Sequence, residues 1–223
     1  MVIEIIQREI PTRGVGYIIL RDCPEERLGE ALGKGMEKLK RAGAQTVLAT
    51  SLPEGEPLHA GPVGVWRLTH AHDIVAMERT LPAEKPGIKL NLRSPRRGQE
   101  ETLYLTLTNK AFAQVPNAAT QRPTDLRRQN HRYGLAYQGD TLVGTYELDL
   151  SEKNAELCSL AIDPALWRKG YGRALLRAVL ESLGSKPPAC TLTVASTNLP
   201  ALALYQAEGF AQTGKVSDWY EVV

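Results

Sequence analysis

The chain has 223 residues, of which 43% are hydrophobic and 23% charged, and its formal net charge at pH 7 is +2. These proportions are those of an ordinary globular protein whose core is large enough to need no disulfides. The small net charge excludes a general attraction to nucleic acid or membrane surfaces, so any anion-binding site has to be local.

The three cysteines, Cys23, Cys158 and Cys190, lie far apart in or beside apolar runs. An odd number with this spacing predicts buried free thiols in a reducing cytosol. The opening residues, MVIEIIQREIPTR, carry acidic side chains and lack a small-residue cleavage site, so we expect no signal peptide. No apolar run approaches the roughly 20 residues of a membrane span. A cytoplasmic location is therefore expected.

The first half of the chain reads as strand, helix and strand, followed by a β-ribbon. Residues 16–22 are an apolar run, and residues 25–42 repeat apolar side chains every three or four positions, as an amphipathic helix does. Gly43 is positioned to end that helix. The elements predicted after it are a strand at 44–51, a loop at 51–64, one or two strands at 65–81 and a linker at 81–87.

The second half combines an antiparallel hairpin with a strand–helix–strand crossover. Gly139 and Asp140 separate two alternating runs, which indicates a hairpin. A glycine turn and an amphipathic helix then connect a strand at 155–163 to another at 189–196. The other predicted elements are a strand at 88–94, helices at 100–114 and 199–209, and a terminal pair of strands at 210–223. This order predicts an α/β fold with a mixed sheet.

The stretch LAIDPALWRKGYGRALLRAVL places two glycines and three cations at the start of a helix. The first four N–H groups of a helix have no partner inside it and carry partial positive charge. Gly170 and Gly172 allow an anion to approach that backbone closely. Arg168, Lys169 and Arg173 add positive charge. The turn favours a polyphosphate or pyrophosphate site, and an ordinary loop with solvated cations is the alternative on this turn alone.

A downstream segment, NLPALALYQAEGF, is the second half of a pair of motifs. Together with LAIDPALWRKGYGRALL it resembles the acetyl-coenzyme A motif, and the motif after it, of the GCN5-related N-acetyltransferase (GNAT) superfamily. Trp167 occupies the family's Gln or Arg position, and Arg168 the next, which is usually glycine. The resemblance spans residues 87–223. It implies a mixed, mostly antiparallel twisted sheet flanked by helices (α+β), with acetyl-CoA as cosubstrate.

The resemblance also implies roles for individual residues. The turn would hold the pyrophosphate of acetyl-CoA, and the strand before it would pair with the pantetheine arm. Tyr205 matches the family's tyrosine that donates to the sulfur, and packing on the sheet is its alternative role. Asn198 either binds the pantetheine arm or caps the short helix. The residues expected to bind acetyl-CoA are Leu160, Ala161, Ile162, Trp167, Arg168, Lys169, Gly170, Tyr171, Gly172, Arg173, Asn198 and Tyr205.

Acetyl transfer to an amine also needs a proton acceptor. Glu147 and Glu156 are the carboxylates nearest the expected acceptor cleft and are the candidate catalytic bases; a solvated strand-face glutamate is the alternative for each. Cys158 has no His or Asn partner nearby in the sequence and is interpreted as core rather than as a nucleophile. His70 and His72 share one side of a strand but lack a third ligand, so we expect no metal.

Two segments of the chain, residues 28–51 and residues 171–196, share a helix-then-strand pattern. When they are aligned, LGEAL at the start of the first matches YGRAL at the start of the second. The first segment lacks a counterpart of residues 167–170. We interpret residues 1–85 as a degenerate GNAT-like half domain without a cofactor site, and residues 86–223 as the acetyl-CoA-binding GNAT domain. Convergence of two amphipathic helices is the alternative.

The leading hypothesis is an N-acetyltransferase that moves an acetyl group from acetyl-CoA to a primary amine of a small molecule by direct attack in a ternary complex. An acyl-CoA-binding regulatory module without transfer activity is the alternative. The basic run at 122–132 is either a solvated surface or a site for an anionic acceptor, and it has too few aromatic residues for nucleic acid. We expect a small-molecule amine as partner, no nucleic acid, no membrane, and a monomer or homodimer.

Overall fold

A computed structural model of the chain describes residues 2–52, 57–84, 87–184 and 186–223. The strands are β1 (Val2–Ile6), β2 (Val15–Asp22), β3 (Thr46–Ser51), β4 (Gly61–Val63), β5 (Trp66–Thr80), β6 (Asn91–Arg93), β7 (His131–Gln138), β8 (Thr141–Asp149), β9 (Ala155–Ile162), β10 (Ala189–Ala195) and β11 (Ala211–Val222). The α-helices are α1 (Ile10–Arg13), α2 (Leu28–Arg41), α3 (Gln99–Phe112), α4 (Tyr171–Leu183) and α5 (Leu199–Ala207). The chain divides into unit 1 (residues 1–75, 195–197 and 215–223) and unit 2 (residues 76–194 and 198–214).

Unit 1 is built on a strand–helix–strand crossover. β2 runs parallel to β3 from Val15 opposite Thr46 to Leu20 opposite Ser51. Between them, α2 buries the apolar side chains that its spacing predicted. β1 pairs antiparallel with β2, and β11 pairs antiparallel with β3. The core therefore joins segments that are distant in sequence; its buried members include Ile18, Leu32, Leu39, Leu68, Tyr220 and Val222.

Unit 2 contains the predicted hairpin and the second crossover. β6, β7, β8 and β9 are successive antiparallel neighbours, and β10 pairs parallel with β9. The predicted mixed, mostly antiparallel sheet is thus confirmed. Thr145 of β8 is hydrogen-bonded to Thr108 of α3 at 2.7 Å, whereas a Cβ at the adjacent Gly144 would lie 3.0 Å from Leu175 of α4. Because consecutive side chains of a strand point to opposite faces, α3 and α4 flank the two faces of this sheet.

Several predicted elements differ from the structure. The terminal pair of strands is one strand, β11, because Gly214 continues it without a turn. Of the one or two strands predicted at 65–81, the structure has one, β5. The short elements β1 and α1 were not predicted, and neither was β4, which lies within the predicted loop at 51–64. Cys23 and Cys190 are buried free thiols as expected, but Cys158 is exposed, because it is the additional residue of a β-bulge.

The division into units differs from the predicted domain boundary. The sequence placed that boundary at 85/86, and these two residues lie outside the described part of the chain, as do residues 53–56 of the predicted loop. The units divide instead at 75/76, and residues 215–223 belong to unit 1. The half-domain interpretation of residues 1–85 stays a prediction. None of the described helices is long and apolar enough to span a membrane.

Candidate functional site

The two strands of the unit 2 crossover separate after a short parallel pairing. β10 pairs with β9 at Ala155 and Glu156, while β9 continues to pair with β8 as far as Ile162. Within the described residues, the edge of β9 that faces away from β8 therefore has no strand partner over residues 157–162. A free strand edge offers N–H and C=O groups to an extended ligand. This edge contains the expected pantetheine-pairing residues Leu160, Ala161 and Ile162.

Side chains hold the turn that follows β9. The Asp163 carboxylate accepts a hydrogen bond from the Ala165 amide at 3.1 Å. The indole Nε1 of Trp167 donates to the carbonyl oxygen of Ile162 at 2.9 Å, and Trp167 remains 53% exposed. Trp167 therefore fastens the turn to the end of the strand and leaves much of its ring surface open.

The backbone from Arg168 to α4 passes through left-handed conformations, with φ of 63° at Arg168 and 83° at Gly170. Such angles cost an L-residue about 1–2 kcal/mol, which explains glycine at position 170. The Ala174 amide donates to the Gly170 carbonyl. Within the described residues, the amides from Arg168 to Arg173 have no acceptor, an arrangement that suits an anion.

Gly172 has a different environment from Gly170. A Cβ at Gly172 would lie 3.5 Å from the side chain of Leu204 on α5, which is an ordinary van der Waals contact. Its φ is not in the left-handed region. The structural argument for a glycine at the turn therefore depends on Gly170.

The three cations of the turn also have different surroundings. Arg173 Nε lies 2.9 Å from the buried carboxylate of Glu208. Lys169 Nζ reaches the carbonyl oxygen of Ala165 at 3.4 Å. Arg168 makes no ion pair with any described residue. Arg168 and Lys169 thus remain available to an incoming anion, whereas Arg173 is already paired within the protein.

Glu208 is a positioning residue that the sequence analysis missed. Its carboxylate is 2% exposed and binds Arg177 of α4 at 2.6 and 3.1 Å, in addition to Arg173. Arg79 donates to the backbone carbonyl of Glu208. These contacts tie the end of α5 to α4 and so fix the helix that carries Tyr205.

Tyr205 lies on α5, with its ring centroid 5.7 Å from that of Phe210. Burial, and to a smaller extent the neighbouring Cys190, raises the pKa of Tyr205 to about 12. The phenol therefore stays protonated through the neutral range, as a hydrogen-bond or proton donor must. Asn198 is the N-cap residue of α5, as its capping alternative expected, but it caps through its backbone carbonyl, which accepts from Ala201 and Leu202, and makes no side-chain capping bond.

A β-bulge lies beside the free edge of β9. Glu147 is opposite Ser159 and Leu148 is opposite Leu157, so Cys158 is the additional residue. Although Cys158 is exposed, desolvation of its sulfur and the nearby Glu147 carboxylate raise the pKa of the thiol to about 12. A thiol with this pKa is protonated at neutral pH and is a poor nucleophile.

Glu147, a candidate base, is buried on the α3 face of β8 and 3% exposed. One carboxylate oxygen accepts a hydrogen bond from Gln121 Nε2 at 2.8 Å. The other lies 2.8 Å from His131 Nδ1 and 3.5 Å from Arg128 Nη1. Asn109 of α3 binds both backbone groups of Gln121. Both oxygens of Glu147 are therefore occupied in a supported network.

The other candidate base, Glu156, is exposed and lies opposite Asp149, which in turn lies opposite His131. These three side chains form a row on the face that also carries Glu147. Hydrogen bonds from Ser151 hold the pKa of Asp149 below its ordinary value. A cleft of about 510 Å³ opens beside His131, and its other lining residues include Ser94, Pro95, Leu126, Asn130, Arg132 and Leu150.

Three side chains of this region could hold a metal ion. His131, Glu147 and Cys158 each place one ligand atom within 4.8 Å of the other two. The 2.8 Å contact between His131 and Glu147 is that of a hydrogen-bonded pair, and the Arg128 guanidinium beside Glu147 disfavours a second cation. The expectation of no metal stays a prediction.

Comparisons with known proteins relate both the sequence and the fold to acetyltransferases. The mycothiol acetyltransferase of Thermobispora bispora is 29% identical over 180 residues, which are 72% of this chain and 60% of that protein. The N-alpha-acetyltransferase RimI of Mycobacterium tuberculosis is 32% identical over 111 residues, covering 48% of this chain and 68% of that protein. This chain therefore spans only part of the length of each.

Among solved structures, a GCN5-related N-acetyltransferase from Sphaerobacter thermophilus matches with a TM-score of 0.60 and 16% identity, covering 98% of this chain and 75% of that one. A likeness at this identity concerns the fold alone. The model of the acetyltransferase (GNAT) family matches residues 98–210, which are just over half of the chain. This match includes the free edge of β9, the turn and Tyr205, and it shows that the chain belongs to the acetyltransferase (GNAT) family.

Proposed function

We propose that this chain moves an acetyl group from acetyl-CoA to a primary amine of a small molecule by direct attack in a ternary complex. The observation that carries the proposal is one continuous segment in which the free edge of β9 leads into the unpaired amides before α4. The strand edge suits an extended, amide-containing arm, and the turn suits a pyrophosphate.

The binding roles follow from these features. Acetyl-CoA supplies a thioester whose carbonyl carbon an amine can attack. The free N–H groups of residues 157–162 would bind the pantetheine arm and stabilise negative charge that develops on the carbonyl oxygen. Arg168 and Lys169 would add positive charge beside the turn amides. The hydrogen bond from Trp167 to Ile162 holds the turn against the end of the strand.

The leaving group needs a donor. As the nitrogen–carbon bond forms and the carbon–sulfur bond breaks, Tyr205 would supply a hydrogen bond and a proton to the departing sulfur. Its pKa of about 12 keeps the phenol protonated until that moment. The contacts of Glu208 with Arg173 and Arg177 hold α5, and therefore Tyr205, in place.

Direct attack is favoured over an acyl-enzyme because the exposed thiol of this region is unreactive. Cys158 has a pKa of about 12, so its nucleophilic thiolate form is scarce at neutral pH.

The acceptor is inferred from the charge of the site. The names of the two relatives both describe acetyl transfer but differ in the acceptor that they mention. In this chain Asp149 and Glu156 place solvent-accessible carboxylates side by side on one face of the sheet, and negative charge there attracts a protonated amine.

Thiol release from acetyl-CoA, measured with a panel of alkylamines, diamines and amino sugars, tests the proposal. We expect at least one amine to release thiol with intersecting double-reciprocal lines, and Cys158→Ser to keep that rate. Parallel lines, with loss of activity in Cys158→Ser, would contradict direct attack. Calorimetric binding of acetyl-CoA without thiol release for any amine would favour the regulatory binding module.

A further inference from the structure

His131 is held between two carboxylates at the first residue of β7. Its Nδ1 lies 2.8 Å from Glu147 Oε1, and its Nε2 lies 3.3 Å from Asp149 Oδ2. The imidazole ring also stacks on Tyr133, with ring centroids 6.0 Å apart and planes inclined by 18°. The side chain is 11% exposed. Position, ring plane and the partner of each nitrogen are therefore all defined.

Glu147 is poorly placed to accept a proton from a substrate itself. It is buried, and both of its oxygens already accept hydrogen bonds from protein groups. A carboxylate in this setting instead orients a histidine, because it accepts the Nδ1 proton and leaves Nε2, beside Asp149, as the nitrogen that gains and loses a proton. Gln121, itself bound through its backbone by Asn109, prevents Glu147 from turning away.

We propose that His131 is the general base of the transfer reaction, with Glu147 as its positioning partner and Asp149 as the acceptor of the hydrogen bond from the protonated ring. This inference rests on the proposed function and names a residue for the step that function leaves open.

The location of His131 supports this role. His131 is one of the residues that line the cleft of about 510 Å³, a space large enough for a small acceptor. Its partner Glu147 lies opposite Ser159, and Ser159 is next to the β-bulge and directly precedes Leu160. His131 itself lies in the row of Asp149 and Glu156, the last residue of β9 that is paired with β10, so across β8 the pair is level with the start of the free edge.

The proton balance can be written in full. An aliphatic acceptor enters as an ammonium ion with three protons, of which the amide product keeps one. His131 Nε2 takes one proton before attack, and this proton leaves to solvent past Asp149, whose carboxylate is 25% exposed. The remaining proton leaves the nitrogen after attack and replaces the proton that Tyr205 gives to the departing sulfur. One proton is released for each acetyl group transferred.

A comparison of two nucleophiles tests the inference in the full-length protein. The fastest aliphatic amine of the panel is protonated at neutral pH and needs a base, whereas hydroxylamine is largely unprotonated and does not. We expect His131→Gln to lower turnover with the aliphatic amine by roughly 10²–10⁴-fold and to leave turnover with hydroxylamine nearly unchanged. Added imidazole should restore part of the amine rate in His131→Ala.

His70→Gln provides a matched control, because His70 of unit 1 also pairs with a carboxylate, Asp73, at 2.8 Å. It should leave both rates unchanged. Equal losses with both nucleophiles in His131→Gln, or no loss at all, would overturn the assignment of the base while leaving acetyl transfer intact. If the wild-type protein transfers to neither nucleophile, the proposed function fails and takes this inference with it.

Discussion

The two parallel crossovers of this chain differ in how far their strands stay paired. In unit 1, β2 and β3 remain paired from Val15 opposite Thr46 to Leu20 opposite Ser51. In unit 2, β9 and β10 pair only at Ala155 and Glu156 before the pairing ends. The same strand–helix–strand arrangement therefore keeps its two parallel strands paired along their length in unit 1. In unit 2 it leaves one backbone edge of β9 unpaired over residues 157–162.

The turns that precede the two helices also differ in how well they suit an anion. In unit 1 the segment before α2 carries Glu25 and Glu26, whose charges oppose an anion at that helix start. In unit 2 the corresponding segment carries the left-handed Gly170, and the amides around it are unpaired. The comparison teaches that a crossover becomes a candidate ligand site through its pairing and its turn, not through its topology.

The largest expected effect concerns Tyr205. We expect Tyr205→Phe to lower turnover roughly 10²–10⁴-fold with little change in acetyl-CoA affinity, because the lost hydroxyl acts only as the carbon–sulfur bond breaks. Steady-state kinetics and calorimetry measure the two quantities. Tyr17→Phe, at a buried tyrosine of unit 1, is the matched control and should keep full turnover. Full turnover in Tyr205→Phe would make Tyr205 a packing residue.

A smaller effect is expected at the turn. Gly170→Val should weaken acetyl-CoA binding roughly 10–100-fold, since a side chain at φ of 83° forces the turn amides to move. Gly29→Val, at the glycine of α2 that aligns with Gly172 at the start of α4, should change nothing, because a Cβ there has only one neighbour, at 3.9 Å. Arg168→Ala removes one exposed cation and should cost about 1 kcal/mol or less. Calorimetric titration gives all three affinities.

Thermal melts of these variants would confirm that each one folds. If Arg168→Ala weakens binding more than Gly170→Val does, the argument from the turn amides is wrong.

The smallest expected effect is in hydrogen exchange. Amides of residues 157–162 should exchange faster than those of residues 17–20, because this part of β2 is paired on both sides and this part of β9 on one. Saturating acetyl-CoA should slow the first set by about tenfold and leave the second unchanged. Mass spectrometry of the two peptides measures both rates. Equal protection of both sets by acetyl-CoA would remove the distinction between the crossovers.

Much of the fold of unit 2 could be predicted, because its signals are local. Gly139 and Asp140 mark the hairpin, and the three-and-four spacing of α4 marks its buried face. The turn residues are contiguous, so their number and type could be read directly. The pairing of β3 with residues 220–221, which are far away in the sequence, could not be predicted in this way, since nothing in either segment specifies the other.

The proposed general base, His131, was harder to predict, for a physical reason. Counting back from the pair Gln138 and Thr141 would place His131 opposite Leu148, on the wrong face of the sheet. A register shift between Ala136 and Tyr137 moves His131 opposite Asp149 instead. Such a shift leaves no clear mark in the sequence. The sequence therefore indicates only a basic run around His131 and does not pair His131 with Glu147.

The pairing of β11 with β3 has a consequence for biosynthesis. Tyr220 lies opposite Ala49, and Trp219 packs edge-on to Tyr17 with ring centroids 5.5 Å apart. During translation β3 leaves the ribosome long before β11 does. The edge of β3 that pairs with β11 therefore stays unpaired while all of unit 2 is synthesised. The unit that begins first in the sequence is therefore the last that can complete its sheet.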